Sequence, residues 1–517
     1  MKTRQESKPE PILEIAADTL DRQKQALVFV NSKRSAEKTA EDIAKFVSKN
    51  KQADSEHLGE LSEKVLKALS NPTKQCERLA RCIKQGVAFH HAGLVSKQRE
   101  LVEDNFRNGN IKFICCTPTL AAGLDLPAFR AVIKDLKRYG RNGMEWIAVL
   151  EYLQMAGRAG RPKFDSLGES IIIAKTGAEK KDAVERFIYG SPEDIFSKLA
   201  VEPVLRTYIL SLISTRFVGT EEELFDFFEK TFWAHQYRDF NSLKSKVKNA
   251  ILLLNEYKFV ESGRQGINVT EAGRRVAELY IDPYTANNLI AGMKNAVKKG
   301  ADEKDAKDIT PFSFLQLISN TIEIRPVLRV KTKEWDDVMK HLDKNSQSLL
   351  VQEPSMFDTE YDSFLSSVKT AMFFEEWISE KDEEFMMEKY DVRPGEIHAK
   401  LETADWLVYS MIELGKLLRM QPVLNEISKL RIRLKYGARE EILPLLRLEN
   451  IGRARARKLF NNKIRNIADV RKTDISILAQ LVGKNIAEQL KKQVSDEIVE
   501  VKEGKRKGQI SVRDFDE

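Results

Sequence analysis

Short apolar runs separated by longer amphipathic segments organise the first part of the chain. ALVFV at 26–30, VAF at 87–89 and IKFICC at 111–116 each end in polar or turn residues, and IIIA at 171–174 is a further apolar run. Continuous apolar runs of this length are typical of parallel strands buried on both faces. The pattern therefore predicts an α/β lobe over residues 1–190.

Polar motifs follow three of these predicted strands. They are NSKRSAE at 31–37, FHHAGL at 89–94 and TPTLAAGLDLPA at 117–128. Because open α/β sheets build ligand sites at the carboxyl ends of their strands, we expect these motifs to form one site.

A fourth motif, QMAGRAGRP at 154–162, places Arg158 and Arg161 beside two glycines and after Gln154. This spacing is typical of arginine fingers that reach into a nucleotide site on another lobe. The alternative is that both arginines cap a helix or bind carboxylates, and the GRxGR string alone would favour it.

Two apolar stretches between Ala131 and Leu150 are joined by RYGRNG, which contains the turn residues Gly140, Asn142 and Gly143. This arrangement predicts a β-hairpin at about 134–148, inserted between two motifs of the lobe. Tyr139 and Met144 flank its turn. By itself the sequence favours an ordinary surface hairpin without a binding role.

Residues 191–283 change to helical spacing followed by two short strands within 257–273, which predicts a winged-helix domain of three helices and a wing. The helical apolar positions are Leu205, Ile209, Leu212, Ile213, Leu243, Val247, Ile251 and Leu254. The third helix exposes only a modest basic cluster, made by Lys244, Lys246 and Lys248.

Residues 284–440 are predicted to be helical throughout, and the helix at 394–418 is the most informative of them. Pro394 suits its first turn. Its apolar stripe consists of Ile397, Leu401, Ala404, Val408 and Met411. Trp406 lies about 200° of helical rotation from Ala404 and is off this stripe. Such a tryptophan either packs against a neighbouring helix or stacks on a base, which is worth about 1–3 kcal/mol per base.

Residues 441–503 predict a helix-hairpin-helix domain whose glycine turn exposes backbone N–H groups to a phosphate. Arg453, Arg455 and Arg457 begin its second helix. Arginines at a helix amino end oppose the macrodipole, so anion binding explains them better than helix stabilisation does. A solvated basic face is the alternative. A second, weaker hairpin contains Gly483 and Lys484.

Residues 504–517 are polar and charged and are predicted to form a flexible tail. Gln509, Val512 and Phe515 have the spacing of a sliding-clamp peptide, but Asp516 stands where a second aromatic residue is usual. The match is therefore poor.

Composition limits the function classes. A length of 517 residues suits three or four domains, and the net charge of +7 with 32% charged residues suits a polyanionic partner without proving one. The four cysteines lack zinc-site spacing, so no metal site is predicted. Without a signal peptide or a long apolar segment, we expect a soluble cytoplasmic protein.

The chain resembles the second motor lobe of superfamily-two helicases, within the Ski-like branch. The motifs that carry this resemblance are FHHAGL, TPTLAAGLDLPA and QMAGRAGRP, and they are similar to those of archaeal HelQ-type DNA helicases. The resemblance extends to about residue 500. It implies a multidomain α/β plus α protein, with a RecA-like lobe, a winged helix used mainly as a scaffold, an all-helical ratchet domain and a helix-hairpin-helix domain.

The resemblance also implies roles at the nucleotide. Arg158 and Arg161 would meet the γ-phosphate of ATP, and Gln154 would help to sense it. Gly123 and Asp125 belong to the motif that faces the nucleotide sugar, and Gly157 lies in the finger motif. The cofactor would be ATP with magnesium, bound mainly by a first RecA-like lobe.

Further roles are implied along the nucleic acid. Asn31, Ser32, His91 and Thr117 would line the path of the strand, Tyr139 and Met144 would form the wedge of the hairpin, and Arg453, Arg455 and Arg457 would steer or brake the emerging strand. Trp406 matches the ratchet tryptophan. Ala399 occupies the position two turns earlier where a basic residue is usual, so the flanking His398 or Lys400 is the candidate for that contact.

A phosphate-cradling G-x-x-x-x-G-K-[ST] loop is missing from the sequence, because none of the three Gly-Lys pairs has its context. We therefore expect a chain that begins just before the second lobe and binds DNA without ATPase activity.

The resemblance implies part of an ATP-dependent three-prime to five-prime DNA helicase that unwinds forks in replication-fork repair. Single-stranded and forked DNA, the missing first lobe, and a sliding clamp or single-strand-binding protein are its expected partners. An RNA helicase fragment of the Ski-like branch and a non-catalytic single-strand-binding module are the alternatives.

Overall fold

The computed structural model describes most of the chain and divides it into two compact units. The described residues are 10–49, 56–69, 72–121, 126–140, 143–160, 165, 167–199, 201–263, 266–301 and 309–495. The sheet unit comprises Met1–Arg274 and Glu383–Glu402, and the helical unit comprises Arg275–Asp382 and Thr403–Glu517.

Strands occur in the sheet unit. They are β1 (Ala26–Phe29), β2 (Val87–His90), β3 (Phe113–Cys116), β4 (Arg130–Ile133), β5 (Lys137–Gly140), β6 (Gly143–Trp146), β7 (Glu169–Ile172), β8 (Val260–Gly263) and β9 (Gly266–Val269). The order β2-β3-β1-β4-β7 forms one five-stranded sheet. Every pair in it is parallel, with Ala26 beside both Phe113 and Arg130.

The predicted buried parallel strands are confirmed, since β1, β2 and β3 are buried along their whole length. The sheet prediction missed β4. The sequence pattern assigns residues 131–133 to the apolar stretches around the hairpin, but they pair with β1 and β7 inside the sheet. The predicted hairpin is confirmed as the antiparallel pair β5 and β6.

Helices surround this sheet. In the sheet unit they are α1 (Pro11–Asp21), α2 (Lys33–Lys49), α3 (Glu56–Leu66), α4 (Lys74–Ile83), α5 (Ser96–Arg107), α6 (Val149–Ala156) and α7 (Gly177–Ala183), which a π-helical turn at Val184–Ile188 follows. One large hydrophobic cluster joins the strands to these helices, with Phe29, Phe89 and Phe113 among its largest buried side chains.

A second part of the sheet unit contains α8 (Glu202–Ser214), α9 (Glu221–Glu229), α10 (Phe232–Tyr237) and α11 (Phe240–Glu256), followed by the hairpin of β8 and β9. The apolar positions predicted for the first and last of these helices are buried, except that Leu212 is half-buried. The prediction of three helices missed α10, which is too short to show a helical period.

The remaining helices run from residue 271 onward. They are α12 (Glu271–Leu279), α13 (Pro283–Gly300), α14 (Pro311–Ser319), α15 (Trp335–Lys344), α16 (Tyr361–Ile378), α17 (Glu383–Tyr390), α18 (Pro394–Leu417), α19 (Gln421–Tyr436), α20 (Leu443–Leu446), α21 (Arg453–Asn461), α22 (Ile467–Lys472), α23 (Ile475–Val482) and α24 (Lys484–Ser495). The helix predicted at 394–418 is confirmed as α18.

Residues 438–494 bury a hydrophobic cluster of their own, to which Leu445, Leu459, Leu478 and Leu490 contribute fully buried side chains. The paired helices α23 and α24 meet at Gly483, whose φ of 94° suits glycine. The flexible tail predicted at 504–517 lies outside the described residues, and the four-domain division stays a prediction. Among the described helices, none is long and apolar enough to span a membrane.

Candidate nucleotide and nucleic-acid sites

Asn31 and Ser32 follow β1 and are exposed at the carboxyl edge of the sheet. The Asn31 backbone N–H donates to Asp135 Oδ2 at 3.1 Å, and its side-chain amide donates to the Lys137 carbonyl at 3.1 Å. Ser32 Oγ accepts a hydrogen bond from the Ser35 N–H at 3.1 Å, at the start of α2. Asp135 thus ties the end of β1 to the segment that enters the hairpin.

Thr117 follows β3 and is half-buried, with its hydroxyl 2.9 Å from that of Thr119. The Ala121 carbonyl in the same motif accepts two hydrogen bonds from Arg158, from Nε at 3.2 Å and from Nη2 at 2.5 Å. The Arg158 carbonyl in turn accepts from the Ala128 N–H at 2.9 Å. These bonds bring the motifs at 117–128 and 154–162 together.

Gln154 and Gly157 are exposed at the carboxyl end of α6, immediately before the half-buried Arg158. Gly123, Asp125 and Arg161 lie outside the described residues, so their predicted roles are not addressed by the structure.

Glu193 binds the amino end of α6. Its carboxylate accepts the Val149 N–H at 2.7 Å and the Leu150 N–H at 3.1 Å. These two backbone hydrogen bonds lower the pKa of Glu193, since a carboxylate at a helix amino end satisfies free N–H groups and favours the dipole. Glu193 therefore helps to fix the helix that carries Gln154.

The donor chemistry of this region suits a phosphate. The Gln154 amide and the Arg158 guanidinium are hydrogen-bond donors, and guanidinium groups bind phosphate oxygens strongly. In the part of the chain that the structure describes, no three His, Cys, Asp or Glu side chains are grouped to hold a metal ion.

His91, predicted to line the nucleic-acid path, is fully buried. Its Nδ1 accepts the Gly93 N–H at 3.1 Å, so the neutral ring carries its proton on Nε2, which lies 3.2 Å from Glu37 Oε1. Burial lowers the pKa of His91, although the Glu37 carboxylate opposes this effect. The placement of His91 does not support direct contact with a strand.

Glu37 is the centre of a buried polar cluster. Its carboxylate accepts hydrogen bonds from Gln75 at 2.9 Å and Arg78 at 2.5 Å, and Arg393 Nε lies 3.4 Å from Oε1. Burial of the carboxyl opposes ionisation, but the contact with His91 and the nearby arginines lower the pKa of Glu37 to about 2. A charged Glu37 therefore holds α2, α4 and the residue just before α18 together.

The amino end of α18 lies against the FHHAGL loop within the sheet unit. The Gly395 N–H donates to the Gly93 carbonyl at 2.9 Å. A Cβ atom on Gly395 would lie only 2.3 Å from the Ala92 carbonyl oxygen, so a side chain cannot fit here. Lys33, the first residue of α2, also binds Glu396 through its Nζ atom.

His398 and Lys400 lie near this end of α18. His398 Nε2 is 3.5 Å from Glu383 Oε1, and this contact raises the pKa of His398. Burial lowers the pKa of the half-buried Lys400. The surroundings therefore favour the charged form of His398 and disfavour the charged form of Lys400. The choice of Lys400 as the ratchet contact stays a prediction.

The tip of the hairpin presents Tyr139 and Met144, which are paired directly across β5 and β6. Tyr139 is 84% exposed and Met144 is 53% exposed. At the base, Lys137 Nζ lies 4.1 Å from the centre of the Trp146 ring, and Arg138 binds Glu151 at 2.8 Å. The structure thus combines an anchored base with two exposed side chains, Tyr139 and Met144, close to the turn.

Trp406 lies in the helical unit and is half-buried. Its indole N–H donates to the Leu279 carbonyl at 2.9 Å. The predicted apolar stripe of α18 is confirmed, with Ile397, Ala404, Val408 and Met411 fully buried and Leu401 half-buried. Next to Trp406, Asp405 accepts two hydrogen bonds from Arg431, whose guanidinium lies 4.7 Å from the centre of the Tyr409 ring.

The three terminal arginines differ in their surroundings. Arg457 binds Glu380 through two hydrogen bonds, at 2.8 and 2.5 Å, and Glu441 at 2.9 Å. Arg453 donates to the carbonyls of Lys381 and Gly437. Arg455 is exposed and donates to the Asn450 carbonyl at 3.0 Å. Intramolecular contacts therefore occupy much of the hydrogen-bonding capacity of Arg453 and Arg457. Arg455 is the most accessible of the three.

Sequence reasoning missed Asp135, Glu193 and Arg393, which organise these sites, and it included Glu37 only as the last residue of the motif at 31–37. Each acts through a partner far away in the sequence, such as Val149 for Glu193. No local pattern marks such a residue. Only Gly93 and Gly395 carried a signal, because glycine is the residue that permits close backbone approach.

Comparisons with known families agree with this arrangement. Residues 60–163 match the helicase conserved C-terminal domain, residues 168–261 match a helix-turn-helix domain, and residues 312–437 match domain 4 of archaeal helicases.

Similarity to whole proteins covers most of the chain. The ATP-dependent DNA helicase Hel308 of Methanococcus vannielii is 37% identical over 521 residues, covering 92% of this chain and 67% of that protein. Hel308 of Pyrococcus horikoshii is 38% identical, covering 96% and 67%. Hel308 of Methanocella arvoryzae is 38% identical, covering 92% and 63%. The chain thus spans about two thirds of the length of these relatives.

Proposed function

Because the chain belongs to the Hel308 family of ATP-dependent DNA helicases, we propose that it carries the strand-binding part and half of the nucleotide site of such an enzyme. The observation that carries this proposal is the linkage of Arg158 to the Ala121 carbonyl. One arginine joins the finger motif to the motif that follows β3, so a change at the nucleotide reaches a loop at the nucleic-acid edge of the sheet.

Arg158, Arg161 and Gln154 are the residues proposed to meet the γ-phosphate of ATP. Arginine fingers raise phosphoryl-transfer rates by about 10³–10⁵ because they stabilise the charge of the transition state. ATP with magnesium supplies the phosphoryl group when bound. Gly123, Asp125 and Gly157 are proposed to border it, with the phosphate loop and the magnesium ligands coming from a first RecA-like lobe outside these 517 residues.

The strand is proposed to pass the carboxyl edge of the sheet, where Asn31, Ser32 and Thr117 present amide and hydroxyl groups. Such groups hold phosphates without reading the sequence of bases. His91 acts there only through the loop that it supports, because its ring is buried.

Duplex separation is proposed to occur at the hairpin, where exposed Tyr139 and Met144 can stack on the last base pair. Trp406, with Lys400 or His398, would limit backsliding, and Arg455 would steer the strand that emerges. By analogy with the family, we propose three-prime to five-prime movement on forked DNA. A role in replication-fork repair and contacts with a clamp or single-strand-binding protein rest on the resemblance alone.

Competition binding tests the strand proposal. A fluorescent twenty-nucleotide dT strand should bind the chain, and unlabelled DNA should compete better than the matching RNA or a blunt duplex. Trp406→Ala should weaken binding about 5- to 150-fold, which corresponds to about 1–3 kcal/mol. Trp335→Ala is the matched control, because Trp335 is also partly exposed, at 44%. Equal loss in both variants would contradict the proposal, and stronger competition by RNA would favour an RNA helicase.

ATP turnover tests the nucleotide proposal. The 517-residue chain should bind DNA but hydrolyse no ATP, because the phosphate loop is not in its sequence. Sustained hydrolysis that single-stranded DNA stimulates would show that the chain forms a complete nucleotide site.

A further inference from the structure

Tyr280 stands out because an exposed aromatic side chain occupies a backbone conformation that favours glycine. It follows α12 directly, has a φ of 57° and is 83% exposed. Its N–H donates to the Ala277 carbonyl at 3.1 Å and so closes the helix end. Glycine or asparagine is the usual residue at such a position, and a bulky residue there is strained.

Buried residues and hydrogen bonds hold the turn that carries Tyr280 on both sides. Leu279 and Ile281, on either side of it, are buried. The Asp282 N–H donates to Glu323 Oε1 at 2.9 Å, and Asp282 Oδ1 accepts the Tyr284 N–H at 2.7 Å at the start of α13. The Tyr280 ring therefore extends into solvent from a backbone that is fixed on both sides.

This turn also holds Trp406. The Leu279 carbonyl that accepts the Trp406 indole N–H at 2.9 Å belongs to the peptide bond that leads into Tyr280. Planar peptide geometry places the Tyr280 Cα within about 3 Å of that oxygen, and hence within roughly 6 Å of the Trp406 indole nitrogen. Both aromatic residues belong to the helical unit.

Two aromatic residues attached this close together can contact neighbouring nucleotides of the same strand. Every base has a π-face, so an exposed aromatic platform holds single strands without sequence preference. Strain that is retained at an exposed position is typical of binding sites, where the side chain is needed for contact rather than for folding.

We propose that Tyr280 is a second stacking residue, which holds the base next to the one at Trp406 when a single strand is bound. This inference rests on the proposed function, because it requires the chain to bind single-stranded nucleic acid. It adds a residue to the strand-binding surface that the sequence motifs do not contain.

Opposite effects on binding and stability test the inference. Tyr280→Asn removes the ring and suits the left-handed backbone, so it should weaken binding of the fluorescent dT strand about 5- to 150-fold while raising the urea midpoint of unfolding. Tyr280→Phe keeps the ring and should bind within about twofold of the wild type. Phe357→Asn is the control for loss of an exposed aromatic ring, since Phe357 is 95% exposed in the same unit.

Binding by Tyr280→Asn within twofold of the wild type would overturn the inference, as would equal losses in Tyr280→Phe and Tyr280→Asn. If Trp406→Ala weakens binding and Tyr280→Asn does not, the inference alone fails. If the wild-type chain binds no strand, the proposed function fails and the inference falls with it.

Discussion

Replacing Gly395 with alanine tests how firmly the amino end of α18 is held against the FHHAGL loop. The new Cβ would lie 2.3 Å from the Ala92 carbonyl oxygen and 2.6 Å from the Leu94 carbonyl oxygen. Both neighbours are backbone atoms. Rotation of a side chain cannot relieve these contacts, so either the helix end or the loop must move.

The magnitude follows from that movement. Ordinary contact begins at about 3.4 Å, so the two segments must separate by about 1 Å. Overpacking of this kind costs about 1–3 kcal/mol. The 2.9 Å hydrogen bond from the Gly395 N–H to the Gly93 carbonyl would be lost as well, at a cost of about 0.5–1.5 kcal/mol. We expect Gly395→Ala to lower the free energy of unfolding of the sheet unit by about 1.5–4.5 kcal/mol.

Urea unfolding, with hydrogen exchange of the β2 and β3 amides to assign the transition, measures this loss. Gly59→Ala in α3 is the control, because a Cβ there meets nothing within 4 Å and should stabilise the helix by about 0.5–1 kcal/mol. Gly93→Ala should also lower the unfolding midpoint relative to Gly59→Ala, since its Cβ would lie 2.4 Å from Arg393 Cδ and 2.9 Å from the buried His91 Nδ1. Equal unfolding midpoints for Gly395→Ala and Gly59→Ala would refute the reasoning.

Three further predictions concern single side chains. Burial lowers the pKa of His91, so as pH falls the unfolded chain binds a proton at this residue before the folded chain does. The free energy of unfolding should therefore fall as pH drops through about 6.5. His91→Gln should flatten this part of a curve of urea midpoint against pH. Glu193→Ala should lower the unfolding free energy by about 1 kcal/mol through loss of the α6 cap, and an unchanged thermal midpoint would contradict that role. Arg457→Ala should cost about 1–3 kcal/mol in urea unfolding because it leaves Glu380 and Glu441 without this partner, whereas Arg455→Ala should change stability by less than about 0.5 kcal/mol; the reverse order would contradict the contacts.

The sheet was largely predictable because a strand that is buried on both faces needs apolar residues at successive positions. β1, β2 and β3 show such runs. β4 begins with the charged Arg130 and leads directly into the hairpin segment, so no separate apolar run marks it. Helix periodicity likewise placed α18 and its buried stripe, while α10 was too short to have a period.

The candidate sites were less predictable because a motif gives the order of residues and not the direction of each side chain. His91 belongs to a polar motif, yet its ring faces Glu37 in the interior. Arg457 lies in an arginine-rich helix start, yet two glutamates bind it. Such outcomes depend on partners that are distant in the sequence, and only the fold brings them together.

The salt dependence of single-strand binding tests the central claim most directly. The dissociation constant for the fluorescent dT strand would be measured from about 50 to 300 mM KCl. Each phosphate contact on a single strand contributes a slope of about −0.7 in log affinity against log salt. We expect saturable binding with a slope of about −2 or steeper, which Arg455→Ala makes shallower by about 0.7. Absence of saturable binding, or an affinity that does not change with salt, would contradict the account.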